Sequence, residues 1–180
     1  MNQAKDLTIF LCGDVMTGRG IDQVLPYPSR PELCESCVAD AREYVKLAER
    51  VNGPIHGPVS FKYIWGDALA ELKQTGVDAR IINLETSITI SDDYWRGKGI
   101  HYRMHPQNIG CLTAARIDAC CLANNHILDW GYAGLAETLQ TLDLARVAHA
   151  GAGRNATEAA APAILQISDR GRVLVFSFGS

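Results

Sequence analysis

Short apolar runs that end in polar or glycine-containing turns recur along this chain, alternating with stretches whose apolar positions return every three to four residues. Leu7 to Cys12, Ala79 to Leu84 and Asp118 to Ala123 have the pattern of buried strands in an α/β sheet. Between them, Val38 to Val51 places Ala41, Tyr44, Val45 and Ala48 on one helical face, and Trp65 to Leu72 does the same with Ala68, Leu69 and Leu72. Pro106 suits the first turn of a helix reaching Ala115, and Ala133 to Ala145 forms another with Leu135, Leu139 and Leu142 inward. The order strand, helix, strand favours parallel strands joined by right-handed crossovers. After Ala145 the rhythm changes. Ala163 to Ile167 and Arg172 to Phe178 are β-rich runs joined by Ser168-Asp169-Arg170-Gly171, which predicts a hairpin.

At 180 residues and 47% hydrophobic content the chain fits one domain, spanning 1–180. Residues 26–60 break the βα rhythm with Pro26, Pro28, Pro31, Pro54 and Pro58 around a single helix. This segment reads as an insertion over the strand ends, either a lid or specificity loop or a surface decoration without chemistry. A net charge of -3 without long blocks of one sign argues against a nucleic-acid partner. No run of eighteen apolar residues is present for a membrane span, and Met1 to Asp6 lacks the cationic lead of a signal peptide, so a cytoplasmic location is expected. The six cysteines then read as reduced thiols. Cys34 and Cys37 have the spacing of half a zinc site or a redox pair, but no second Cys-x-x-Cys completes the set, and a surface thiol pair is the better reading.

Candidate chemistry gathers where the strands end. The first runs into Gly13-Asp14-Val15-Met16-Thr17-Gly18-Arg19-Gly20, the second into Asn83-Leu84-Glu85-Thr86-Ser87, and the third into Asn124-Asn125-His126. In open α/β sheets the ligand crevice lies outside the carboxyl ends of the strands, so these groups converge for a topological reason. Asp14 and Glu85 supply negative charge, Asn125 a carbonyl oxygen, and His126 acts as a ligand or as a general acid. This donor set suits manganese, magnesium, iron or zinc better than copper. Asp129, three residues on, either orients a ring nitrogen of His126 or caps the following turn. Arg19 and Asn83 are candidates for a substrate or anion site, although the glycine-rich loop around Arg19 lacks the spacing and lysine of a P-loop. His56, His101, His105 and His149 read as surface or hydrogen-bonded residues, and Trp65, Trp95 and Trp130 as packing residues.

These motifs carry a family resemblance. Gly-Asp-Val-Met-x-Gly-Arg at 13–19, Asn-Leu-Glu-Thr at 83–86, Ala-Asn-Asn-His-x-x-Asp-x-Gly at 123–131 and Gly-Ala-Gly-Arg-Asn at 151–155 resemble, in that order, the amino-terminal part of the CapA proteins. Those are associated with bacterial capsule and poly-gamma-glutamate synthesis, and their fold is similar to that of calcineurin-like metallophosphatases. The resemblance implies the amino-terminal portion of an α/β/β/α sandwich. It places Asp14 where the first aspartate ligand of the metallophosphatases stands, Glu85 at the metal-bridging carboxylate, and Asn125 with His126 at the Asn-His pair. Met16 departs from it, standing where those phosphatases have a histidine, and a thioether is poorly suited to hard cations. Their later histidine motifs have no counterpart within these residues. A half sandwich also leaves one sheet face uncovered, which predicts poor solubility or self-association.

Two function classes follow. One is a metal-dependent hydrolase acting on a phosphoester or on an amide of a polyglutamate-like polymer, with His126 protonating the leaving group. The other is a non-catalytic component of polymer synthesis or export, whose degenerate site binds an anionic polymer without turnover. Many CapA relatives are membrane-attached, whereas no anchor is visible here.

Overall fold

The computed structural model describes residues 6–179. In chain order its elements are β1 (Ile9–Val15), α1 (Arg19–Val24), α2 (Arg42–Asn52), α3 (Ala68–Gln74), β2 (Ala79–Leu84), β3 (Ser87–Ile88), β4 (Arg103–Met104), α4 (Gly110–Ala114), β5 (Ala119–Cys121), α5 (Gly131–Leu144), β6 (Ala148–Ala150), α6 (Ala156–Ala160), β7 (Ala163–Gln166) and β8 (Arg172–Val175). Strands β1, β2, β5 and β6 form one parallel sheet in that spatial order, β3 and β4 a short parallel pair, and β7 and β8 an antiparallel hairpin. The expected α/β architecture, with parallel strands, crossover helices and a terminal hairpin, is the one observed.

Alternation along the strands decides which layer covers which face. Phe10, Cys12, Ile82, Leu84, Cys120 and Leu122 point into the larger core, where α5 buries Leu135, Leu139 and Leu142. Each leucine fully buried there contributes roughly 1.5–3 kcal/mol. On the opposite face Ile81, Ala119 and Ala150 pack against Ala163 and Val175 of the hairpin. The hairpin covers β2, β5 and β6 but leaves β1 open, so Leu11 stays 71% exposed, and Phe178 beyond the hairpin is 82% exposed.

Several boundaries differ from the expectation for identifiable reasons. The first strand runs to Val15 rather than Cys12, because a bulge lets three residues of β1 span two of β2: Cys12 pairs with Ile82 and Val15 with Leu84. The helix expected from Val38 starts at Arg42, since residues 31–41 instead close a loop through Leu33 N to Ala39 O (2.9 Å) and Ala41 N to Pro31 O (2.7 Å). The helix expected from Pro106 to Ala115 is a 3-10 turn, Pro106–Ile109, running into α4. β6 was not expected, because Ala-His-Ala is too short and too weakly apolar to read as a strand alone.

Candidate functional site

The bulge in β1 lifts Asp14 out of the regular pleat with a positive φ of 33°. Bulges re-aim side chains, and non-glycine residues in this backbone region persist only where their surroundings hold them. On the neighbouring strand, Asn83 Nδ2 donates both to Asp14 Oδ1 (2.9 Å) and to Glu85 Oε2 (2.6 Å). The orientation of that amide is fixed from the next strand end, where Asn124 Nδ2 donates to Asn83 Oδ1 (3.0 Å) and to Leu84 O (2.9 Å). Three strand ends are thus tied together by two amides, and one NH2 group compensates two like charges.

The turn after β5 builds the second half of the site. Asn124 Oδ1 accepts from His126 N (3.0 Å), a local turn that brings the imidazole over the sheet edge. Ser87 Oγ donates to His126 O (2.8 Å) from β3. Asp129 is 0% exposed, and its Oδ2 lies 2.7 Å from His126 Nδ1. An ionised carboxylate only accepts, which assigns a hydrogen to Nδ1, and the other ring nitrogen, Nε2, lies 3.8 Å from Glu85 Oε1. Asp129 thus stands against the ring of His126, and no side chain among the described residues caps the helix that follows.

The segment before β4 closes over this dyad. Asp129 also accepts from Tyr102 N (2.6 Å) and from the Lys98 ammonium, while its backbone carbonyl accepts from Trp95 N (2.8 Å). The Tyr102 ring stacks on His126 with centroids 3.9 Å apart. Arg19, which has a positive φ of 50°, lies over the Tyr102 ring (4.7 Å) and over the Tyr44 ring (4.9 Å). Its Nε donates to Glu35 Oε1 (2.7 Å), whose other oxygen accepts from Tyr44 Oη (2.8 Å). Burial, together with the bond to Glu35, raises the Tyr44 phenol above its ordinary value. Gly18 permits this layering, since a Cβ there would lie 2.9 Å from the Arg103 carbonyl oxygen.

A family comparison matches residues 8–180 to the bacterial capsule synthesis protein family PGA_cap. The chain belongs to that family. Among relatives, proteins of Mycobacterium tuberculosis strains CDC 1551 / Oshkosh and ATCC 25618 / H37Rv, each named probable polyglutamine synthesis accessory protein, are 48% identical over 171 residues, covering 95% of this chain and 45% of theirs. An uncharacterized protein of Sinorhizobium fredii (strain NBRC 101917 / NGR234) is 46% identical over 55 residues, 31% of this chain and 12% of its own length. The chain therefore spans less than half the length of the Mycobacterium tuberculosis relatives.

The structure brings Asp14, Asn83, Glu85, His126 and Asp129 together at the sheet edge. Asn125 lies apart from that network. Its side chain is exposed and its backbone carbonyl accepts from Lys98, whereas Asn124 is the amide that joins the strand ends. Met16 turns its sulfur to Gly18 N (3.2 Å). Lys98 was not anticipated, because it sits in an irregular segment 27 residues from Asn125 and no local spacing signals it. His101 is buried against Trp95 O (2.9 Å), His105 caps the following turn and His149 pairs with Asp143 (3.1 Å), as structural histidines do.

The resemblance implies a divalent metal, and Asp14, Glu85 and Nε2 of His126 have the right donor chemistry for one. Their arrangement does not fit it. Among the described residues no group of three His, Cys, Asp or Glu side chains could hold a metal ion, and the Asn83 amide sits between the two carboxylates. No helix among the described residues is long and apolar enough to cross a membrane.

Proposed function

We propose that the chain supplies an acid–base site to a protein that assists bacterial capsule or polyglutamate synthesis, and that this site hydrolyses an amide of a polyglutamate-like polymer or a phosphoester. The observation that carries this reading is the His126–Asp129 dyad. A buried carboxylate fixes the tautomer so that one ring nitrogen is free at the sheet edge, facing a second carboxylate. Nε2 can take a proton from an attacking water and return it to the leaving nitrogen or oxygen. Asp129 holds the ring and stabilises the imidazolium formed in between, and the Tyr102 ring restricts its rotation. Glu85 and Asp14 favour positive charge at the same place, and Asn83 offers an amide to the substrate once it leaves one carboxylate.

The family membership supports the polymer-synthesis setting, and the relatives' names point the same way. No step of this reading runs through a divalent metal, and the assay with chelator and added metal tests that directly. The test is turnover of a γ-linked glutamate oligomer and of a generic phosphoester, each with chelator and with added manganese or zinc. Glu85→Gln and His126→Ala are expected to abolish turnover while leaving the fold intact by circular dichroism. Turnover that survives both substitutions would place the chemistry elsewhere.

A further inference from the structure

Against Arg19 lies a cavity of about 570 Å³ between α1, α2 and the 3-10 turn Tyr63–Trp65, and neither His126 nor Asp129 lines it. Its volume is in the range of small-molecule sites. Ile21, Val24, Val45, Ile55 and Trp65 make its walls apolar, and Arg19 is the one charged residue among those lining it. That guanidinium is built in rather than loose. It is sandwiched by Tyr44 and Tyr102, and Glu35, itself with a side chain 7% exposed, holds the Nε edge. The opposite edge, Nη1 and Nη2, has no acceptor among the described residues. A planar guanidinium with one edge satisfied and the other open, at an apolar cavity, recognises a carboxylate or phosphate in bidentate fashion.

We propose that this cavity binds a single-chain amphiphile, with its hydrocarbon body among α1, α2 and the Tyr63–Trp65 turn and its anionic head, a carboxylate or a phosphate, on the free edge of Arg19. The strained backbone at Arg19 supports this, because a positive φ at a non-glycine residue is retained where the side chain's placement matters. The ligand reaches the dyad through a stack: Arg19 on Tyr102, Tyr102 on His126. Occupancy would therefore order the ring that packs on the imidazole. The proposal concerns binding alone and stands or falls independently of hydrolysis.

The test is calorimetric titration of the chain with decanoate, decyl phosphate and decanol, all below their micellar concentrations. One-to-one saturable binding of decanoate or decyl phosphate is expected, at least tenfold tighter than decanol. Arg19→Gln is expected to erase that preference, and Ala48→Phe, which fills the cavity from α2 with Arg19 intact, to abolish binding of all three. If a variant fails to fold, competition between decanoate and decanol on the unsubstituted chain reads the same claim. Equal affinity for decanoate and decanol, binding unchanged in both folded variants, or no saturable binding by any of the three would overturn the proposal.

Discussion

Replacing Asp129 tests the site at its buried centre. The carboxylate is 0% exposed and accepts from His126 Nδ1, Tyr102 N and Lys98 Nζ. In Asp129→Ala all three donors lose their acceptor at once. Lys98 is partly exposed and can turn to water, so its share is small. The ring nitrogen and the Tyr102 amide have less access to water, and each buried donor left unsatisfied costs about 1–3 kcal/mol, giving a loss of about 4 kcal/mol. Against a total stability of roughly 5–15 kcal/mol, that is a large fraction.

Asp129→Asn separates stability from chemistry. The amide oxygen can still accept from Tyr102 N, so the expected loss is smaller, about 1.5 kcal/mol. Tyr102 N and His126 Nδ1 meet the same oxygen, Oδ2, so the Asn oxygen also keeps the hydrogen on Nδ1, while the new NH2 stands where Oδ1 faced the Lys98 ammonium and the negative charge behind the ring is gone. The imidazolium formed during the reaction then loses its counter-charge, and turnover should fall in a protein that remains folded. Urea unfolding followed by tryptophan fluorescence reads the first effect, and nitrogen NMR of the His126 ring reads the second. A cost below about 1 kcal/mol for Asp129→Ala, set against the unsatisfied-donor scale, would refute the energetic argument. An Nε2–H tautomer in the unsubstituted chain would refute the chemical one.

Other expectations follow from the same packing. Asp22 is a buried carboxylate that accepts from Ser29 N (2.6 Å), His105 N (2.9 Å) and Asn108 Nδ2 (2.8 Å), so Asp22→Ala should cost about 3 kcal/mol in a thermal or urea melt and expose the loop beyond Tyr27 to proteolysis. Burial pushes the Cys111 thiol up from 9.0 to about 12 and moves Cys120 in the same direction. Because the folded value is the higher one, stability is intact below pH 9.0 and falls as pH rises toward about 12. The slope is up to ~1.4 kcal/mol per pH unit per thiol, and a urea series in alkaline buffers that shows no such slope would contradict this. The open face over β1 predicts concentration-dependent self-association in light scattering, reduced by Leu11→Lys; a monomer at every concentration would show that the face is tolerated in water.

How much of this was legible in the sequence depended on the length scale of each signal. The strand Ala79–Leu84 is read to the residue because six successive buried or half-buried positions end at a polar turn. α5 is read to within two residues because its leucines keep helical spacing. β6 and β3 were invisible, since two or three residues carry no period and their pairing is decided by partners far along the chain. The candidate site divides in the same way. Asp14, Glu85, His126 and Asp129 stand at strand ends or three residues apart, where topology alone brings them together. Lys98 and the stacking of Tyr102 and Arg19 depend on how an irregular segment folds back.

Asn124 and Asn125 show what such a motif encodes. Adjacent identical amides cannot be told apart by composition, and the residue beside the histidine is the natural candidate for a ligand. Geometry assigns the work to the other one. Asn124 reaches Asn83 and Leu84 with its NH2 and His126 N with its oxygen, so that a single side chain fixes the spacing of two strand ends and the start of the turn. Asp129 fixes the ring at the other end of that turn, and Gly131, at a φ of 61° with Asp93 too close for a Cβ, releases the chain into α5. Of the residues in Asn-Asn-His-x-x-Asp-x-Gly, therefore, His126 alone presents a free ring nitrogen to Glu85 across the sheet edge, while Asn124, Asp129 and Gly131 hold it there. Substitutions in the motif should divide accordingly: Asn124→Ala and Asp129→Ala lose stability as well as activity, whereas His126→Asn, whose NH2 can stand where Nδ1 meets Asp129, loses activity with a smaller change in the melt. A His126→Asn melt lowered as far as that of Asp129→Ala would mean that the histidine is itself a structural residue, and that the acid–base reading of the site must be given up.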